Sequence, residues 1–290
     1  MKPTCSLMYW ITCFPYRCFV DGISNSETPT LNRMKTGYGL LCMMRKNGEM
    51  GTCSAKIFDQ FQRGTIEFTS VTNATNYPNA RIMYAGLQNF FSASFEDFKK
   101  LNKRSQRLVV FNNFNLFNKI DAAYRSVHHF SDDDDIIMPS YTTVLSVDRM
   151  DEYLIDCPPG VNKQEAAAVI SMHTRQNILT FKPHFKRIRP TGEELLAILG
   201  LALWDENTWR DDEEMIEIVK RNRSTIMAEL HQYYATRGRN DYADRLGDVL
   251  CLLVHVEEAA TKQKEDDKVY ALMNLFNEYV TEPNRSFLPK

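Results

Sequence analysis

Between Phe90 and Val127 the apolar side chains return at steps of three and four, and that spacing commits the middle of the chain to helices. Phe91, Phe95, Phe98 and Leu101 share one face of a first helix. After a turn over 102–105, Leu108, Phe111, Phe114, Phe117, Ile120 and Tyr124 form a second stripe, widened by Val109, Val110 and Leu116. So wide a stripe predicts a helix buried on most sides, in the middle of a domain. No catalytic signature sits among these rings.

The flanking sequence continues the pattern downstream and loses it upstream. Over residues 1–80, Pro, Gly, Ser, Thr and Asn interrupt a weak periodicity, and only 57–68 suggests a short helix and a strand. After the rings, HHFSDDDDIIMPS reads as a loop and YTTVLSV as a short strand. DCPPG at 156–160 stops the chain before a helix expected over 163–180. Thr191 with Glu194 forms a capping box, hydroxyl and carboxylate each meeting an orphan N–H at the start of the next helix. The acidic run DDEE opens a helix over 211–236, where carboxylates complement the positive end of the helix dipole. RGRN breaks it. A helix over 241–262 displays Tyr242, Leu246, Val249, Leu250, Leu253 and Val256, and a last one over 266–280 ends before Pro283. The reading is an all-α domain with one small strand region.

Composition narrows the function classes. Hydrophobic residues make up 43% and charged residues 25%, the balance of a folded domain. A formal charge of −2 offers no net pull toward nucleic acid phosphates. Seven cysteines, none spaced C-x-x-C, suit reduced thiols rather than a disulfide framework or a zinc site. No apolar run is long enough to cross a bilayer. Thr12, Pro15 and Arg17 interrupt the apolar start, so no secretory leader is expected. His128 and His129 with Asp132 to Asp135 read as an acidic surface loop rather than a metal site, Cys251 reads as core, and no cofactor is expected. With no acid, base and nucleophile set together, the chain is not expected to be an enzyme.

Three blocks in order give the chain a likeness. FSASFEDFKKLNKRSQRLVVF, FKRIRPTGEELLAILGLALWDE and LHQYYATRGRNDYADRLGDVLCLLVHV resemble the ligand-binding domain of nuclear receptors, in the divergent group expanded in nematodes. Phe91, Phe98, Leu101 and Gln106 match the family signature across its third and fourth helices, and Arg245 to Gly247 match the Arg-Leu-Gly of its dimer-forming helix. The resemblance implies a three-layer antiparallel helical sandwich with a small β-hairpin over 81–282, an N-terminal extension over 1–80 and a tail over 283–290. It also implies a protein acting in the nucleus on transcription.

In that family a lipophilic ligand completes an under-filled lower half. The resemblance makes Phe91, Phe114, Phe117 and Met138 wall positions; the alternative is that the rings pack on one another and leave no void. It implies a groove for coregulator peptides, where Lys99, Lys100, Lys103 and Gln106 lie, unless those lysines are simply a solvated face. The family's groove Lys is Ala93 here, its signature Asp is Ser105 and its next Lys is Phe111. TEPNRSFLPK, with Pro283 and Pro289, is a poor final activation helix. Tyr242, Leu246, Val249 and Leu253 are implied to pair with a second copy or a related receptor. Residues 1–80 lack the eight cysteines of the family's DNA-binding domain, so DNA binding by this chain is not expected, nor a membrane partner. Arg245 either pairs with Glu206, Glu213 or another acid of adjoining helices, or faces water.

Overall fold

The computed structural model describes residues 27–51, 68–130, 133–209, 212–238, 242–273 and 275. The reading of the first twenty residues, the short helix from 57, Asp132, Asp211 and the tail with Pro283 and Pro289 lie outside these residues. The helices are α1 (Pro29–Gly51), α2 (Asn73–Ser94), α3 (Glu96–Lys100), α4 (Lys103–His129), α5 (Met150–Tyr153), α6 (Lys163–Ile188), α7 (Gly192–Leu203), α8 (Glu213–Thr236) and α9 (Ala243–Leu272). Strands β1 (Thr69–Ser70), β2 (Ile136–Ile137) and β3 (Thr143–Ser146) form one small sheet in the order β1-β3-β2.

The helices stack as three layers: α1 with α2, then α4 with α7 and α8, then α6 with α9. This is the expected sandwich. The expected hairpin is the antiparallel β2–β3 pair, and β1 adds a parallel strand to it, Thr69 opposite Thr143. In the outer layers the helices run antiparallel. Along α6 and α9, Arg187 pairs with Asp248, His184 stacks on His255, Asn177 bonds the Ala259 carbonyl and His173 meets Asp266. Along α1 and α2, a Cβ on Gly86 would stand 2.5 Å from Leu41 Cδ1, so the layer closes on a missing side chain.

Helix α1 is the element that weak periodicity concealed. Its buried positions include Leu31, Met34, Tyr38, Leu41, Arg45 and Glu49, a regular inward stripe whose last members are charged. A charged residue reads as solvent-facing in a sequence, and two of them erased the end of the stripe. The start of α1 is held from across the fold: Glu229 of α8 accepts the Thr30 N–H at 2.9 Å and the Leu31 N–H at 2.7 Å.

Three further expectations are corrected. Helix α6 runs through Pro183 to Ile188 instead of ending at Thr180. The N–H that Pro183 lacks would have served the Leu179 carbonyl, on the side of the helix where Leu179 is exposed. The two helices expected over 241–262 and 266–280 are continuous from Ala243 to Leu272, because the charged stretch between them turns Asp266 inward while Lys264 and Glu265 face water. Cys251 is exposed on α9 rather than part of the core, since Val249, Leu252 and Val256 take the inward positions.

Candidate functional site

Where α1, α4 and the strands meet, four charged side chains lie wholly inside the protein. Asp121 accepts from Tyr38 Oη at 2.5 Å, from Arg45 Nη1 at 2.6 Å and from Arg125 Nη2 at 2.8 Å. Arg125 Nη1 reaches on to the Ser140 carbonyl at 2.6 Å, and its Nη2 to the Met138 carbonyl at 3.3 Å. Glu49 closes the other end by accepting the Tyr141 and Thr142 N–H groups at 3.0 and 2.8 Å. Two cations balance two anions, the condition for burying any of them. Burial alone would raise the Asp121 pKa, but the guanidiniums of Arg125 and Arg45 hold it well below the usual carboxylate range. The adjacent Cys42 thiol is pushed up to about 12, chiefly by burial.

The set is incomplete at one point. Arg45 is fully buried, yet its Nε and Nη2 make no hydrogen bond among the described residues. Glu49 stands 3.6 Å from Nε, within ion-pair range and beyond hydrogen-bonding distance. The face of Tyr141 lies between the two arginines, 5.9 Å from one guanidinium and 5.7 Å from the other.

The four wall candidates do not gather in one place. Phe91 stacks on Phe98 at 4.9 Å and stands edge-on to Trp204 at 6.3 Å, deep in the main core. Phe117 meets Phe90 at 5.5 Å. Phe114 is half-buried on the outer side of α4, tilted against Tyr84 of α2 at 5.9 Å. Met138 lies beside the charge set, in a small cluster with Phe130, Ile136 and Val144.

The groove candidates divide in the same way. Gln106 turns inward and donates to the carbonyls of Phe98 and Leu101, both at 3.1 Å, fastening α3 to α4. Lys103 bonds the Gln106 amide oxygen at 3.3 Å, Lys99 pairs with Glu96 at 2.7 Å, and Lys100 stands 3.8 Å from Asp97. His128 is exposed and its ring lies on Tyr124, while burial pushes His129 down to about 4. Among the described residues no group of three His, Cys, Asp or Glu side chains is placed to hold a metal ion.

On α9, Val249 is fully buried in the chain's own core and Leu246 and Leu253 are half-buried against it. Tyr242 stacks on Tyr234 at 5.0 Å. The residues of α9 that α6 leaves exposed include Cys251 and Val254, the latter 61% exposed, with Met172 and Leu179 exposed on α6. At the top of this layer Arg245 resolves its two readings. Its Nη2 meets Glu194 at 2.6 Å, its Nε meets the same carboxylate at 2.8 Å, and its Nη1 caps the Ile188 carbonyl at 2.7 Å. The partner is therefore the capping-box carboxylate, not Glu206 or Glu213. Glu194 also accepts from Tyr234 Oη at 2.8 Å and from the Thr191 N–H at 2.7 Å. One pair thus joins α6, α7, α8 and α9.

Comparison with known proteins agrees with this architecture. Residues 87–272 match the family model described as the ligand-binding domain of nuclear hormone receptor. Among curated proteins of Caenorhabditis elegans, the chain is 23% identical over 269 residues to the high zinc activated nuclear receptor protein, covering 89% of this chain and 63% of that one. It is 22% identical over 219 residues to nuclear hormone receptor family member nhr-42, covering 73% and 60%. With nhr-28 it shares 22% identity over 257 residues, 86% of this chain and 56% of that one. The chain thus spans less than two thirds of the length of these relatives.

Proposed function

Because this chain belongs to the family of nuclear hormone receptor ligand-binding domains, we propose that it serves as the regulatory module of a transcription factor. It takes a small lipophilic ligand, pairs with a second copy or a related receptor, and passes its state to coregulator proteins across the α2–α4 surface. It works in the nucleus, and DNA is gripped by something other than the residues described.

One observation carries the ligand reading. Arg45 offers two buried guanidinium nitrogens without hydrogen-bond acceptors among the described residues, and Asp121 and Arg125 link it to the Met138 carbonyl beside an apolar cluster. A buried donor left unmade costs about 1–3 kcal/mol, and an acceptor on a ligand's polar end would recover it. Apolar side chains for the body and a few polar groups for orientation are the usual make-up of a small-molecule site. The seat is then the junction of α1, α4 and the strands, with Met138 on its wall, rather than the ring cluster around Phe91.

A second reading rests on those same rings. Phe91, Phe98, Phe95 and Trp204 pack face and edge against one another, which favours a module that works through its surfaces without a ligand. A native mass spectrum of the chain after mild extraction separates the two. A retained small molecule of constant mass, lost on heating, supports the ligand reading; the bare chain mass under every gentle condition rejects it in favour of the second.

A further inference from the structure

The outer strip between α2 and α4 combines aromatic rings with charge of one sign. On α4, Arg104, Arg107, Phe111 and Phe114 recur at steps of three and four, and on α2 Arg81 stands one turn before Tyr84. The helices meet there, Phe114 tilting on Tyr84 at 5.9 Å and Tyr84 Oη donating to the Arg107 carbonyl at 3.4 Å. Phe111 and Phe114 are half-buried, Arg81 and Arg104 exposed, Arg107 half-buried. Residues 73–94 and 103–120 contain no Asp or Glu at all. The nearest acids in sequence, Glu96 and Asp97, are already engaged: Glu96 with Lys99 at 2.7 Å, Asp97 with Arg221 at 2.8 Å. Among the described residues neither Arg104 nor Arg107 has an acid within ion-pair distance of its side chain.

Lys103 and Arg104 also occupy the first turn of α4, at the positive end of a long helix dipole, where cations are unfavourable. Charge placed against the dipole and left unpaired calls for an outside anion. We propose that this strip docks an acidic amphipathic segment of a partner protein, its apolar side on Phe111 and Phe114 and its carboxylates on Arg81, Arg104 and Arg107. The proposal rests on the coregulator-surface reading above and adds what selects the partner. A nucleic acid is the poorer match. A duplex needs a broad basic face, whereas here Arg104 and Arg107 share one helix row with two half-buried rings, Arg81 lies over Tyr77 at 5.8 Å on the neighbouring helix, and the chain's net charge is −2.

The test uses the full chain and three labelled helical peptides with identical apolar positions and flanks of Glu, Gln or Lys, followed by fluorescence anisotropy. The Glu peptide is expected to bind about tenfold tighter than the Gln peptide at low salt, the sum of a few screened ion pairs. That gap should shrink in 0.5 M salt, on the order of the screening expected for exposed charges. In the double variant Arg104→Glu, Arg107→Glu the preference should invert toward the Lys peptide, and Phe114→Ala should weaken all three. Equal binding of the Glu and Gln peptides overturns the charge selection and leaves the coregulator surface standing. No binding by any of the three overturns both. Binding that arises only after residues 276–290 are deleted overturns the proposal in favour of the chain's own end as occupant. Displacement of the Glu peptide by a single-stranded oligonucleotide at equal charge overturns it in favour of nucleic acid.

Discussion

Asp121 and Arg45 meet at 2.6 Å with 0% and 1% of their side chains exposed, one from the middle layer of the sandwich and one from the outer. This contact, with Arg125 on its other side, ties α1 to α4 at the place where the strands attach. Removing the carboxylate strands two guanidiniums in the interior. Asp121→Asn is therefore expected to cost about 3–5 kcal/mol, read as a fall in melting temperature of roughly 6 °C or more. A change under 1 °C on the order of ordinary surface substitutions would show that the network adds nothing.

The same carboxylate sets an acid limit. Its pKa is depressed in the folded state, against about 3.9 when unfolded. A depressed acid gives stability that is fully present above the unfolded value and is lost as pH falls toward the folded one. Urea midpoints should therefore hold steady above roughly pH 5 and drop below about pH 4. In Asp121→Asn that drop should be smaller, because this group no longer takes up a proton on unfolding.

The pair at the top of the third layer gives a separate handle. Arg245→Met removes two bonds to Glu194 and the cap on the Ile188 carbonyl. The Glu194 carboxylate keeps its Tyr234 and Thr191 donors, so the expected loss is about 2 kcal/mol by thermal melt. Lys in place of Arg should not restore it, because the three bonds come from three separate guanidinium nitrogens, a spread that one ammonium nitrogen does not reproduce.

How much of this the sequence carried depended on whether an inward position was apolar. Thr191 and Glu194 announced the start of α7, and the Phe91 to Tyr124 periodicity announced helices on both sides of a turn, because each rests on local rules. That periodicity did not show the extended Phe95 that parts α2 from α3. Helix α1 was invisible for the reason that makes it matter: Arg45 and Glu49 face inward, and only the distant Asp121, Arg125 and the 141–142 backbone make that possible. Arg245 was legible as an ion-pair candidate, but not its partner, since Glu194 was already explained by its capping role. Phe114 sat in the right stripe and on its outer edge, a distinction that a wide apolar face cannot express.

Helix α7 crosses α1 and α8 at Gly200. A Cβ there would stand 2.7 Å from Ile226 Cδ1 and 2.9 Å from Met34 Cε, and both neighbours are fully buried. Gly200→Val is expected to cost about 2–3 kcal/mol through overpacking, while Gly247→Ala, with open space around it, should leave the melting temperature unchanged or raise it slightly.

If α9 mediates pairing, its buried and exposed positions should respond oppositely. Val249→Ala should lower stability by about 2 kcal/mol and leave association intact, and Val254→Arg should do the reverse. Sedimentation velocity alongside a thermal melt reads both. Val254→Arg leaving a dimer unchanged would place the contact elsewhere.

The most direct test of a regulatory role is to fuse residues 27–290 to an unrelated DNA-binding domain and measure a reporter gene in Caenorhabditis elegans cells. A regulatory module shifts output severalfold from the DNA-binding domain alone, in either direction, and the destabilising Asp121→Asn reduces that shift. Output equal to the DNA-binding domain alone, from a fusion shown to be folded and nuclear, would contradict that role.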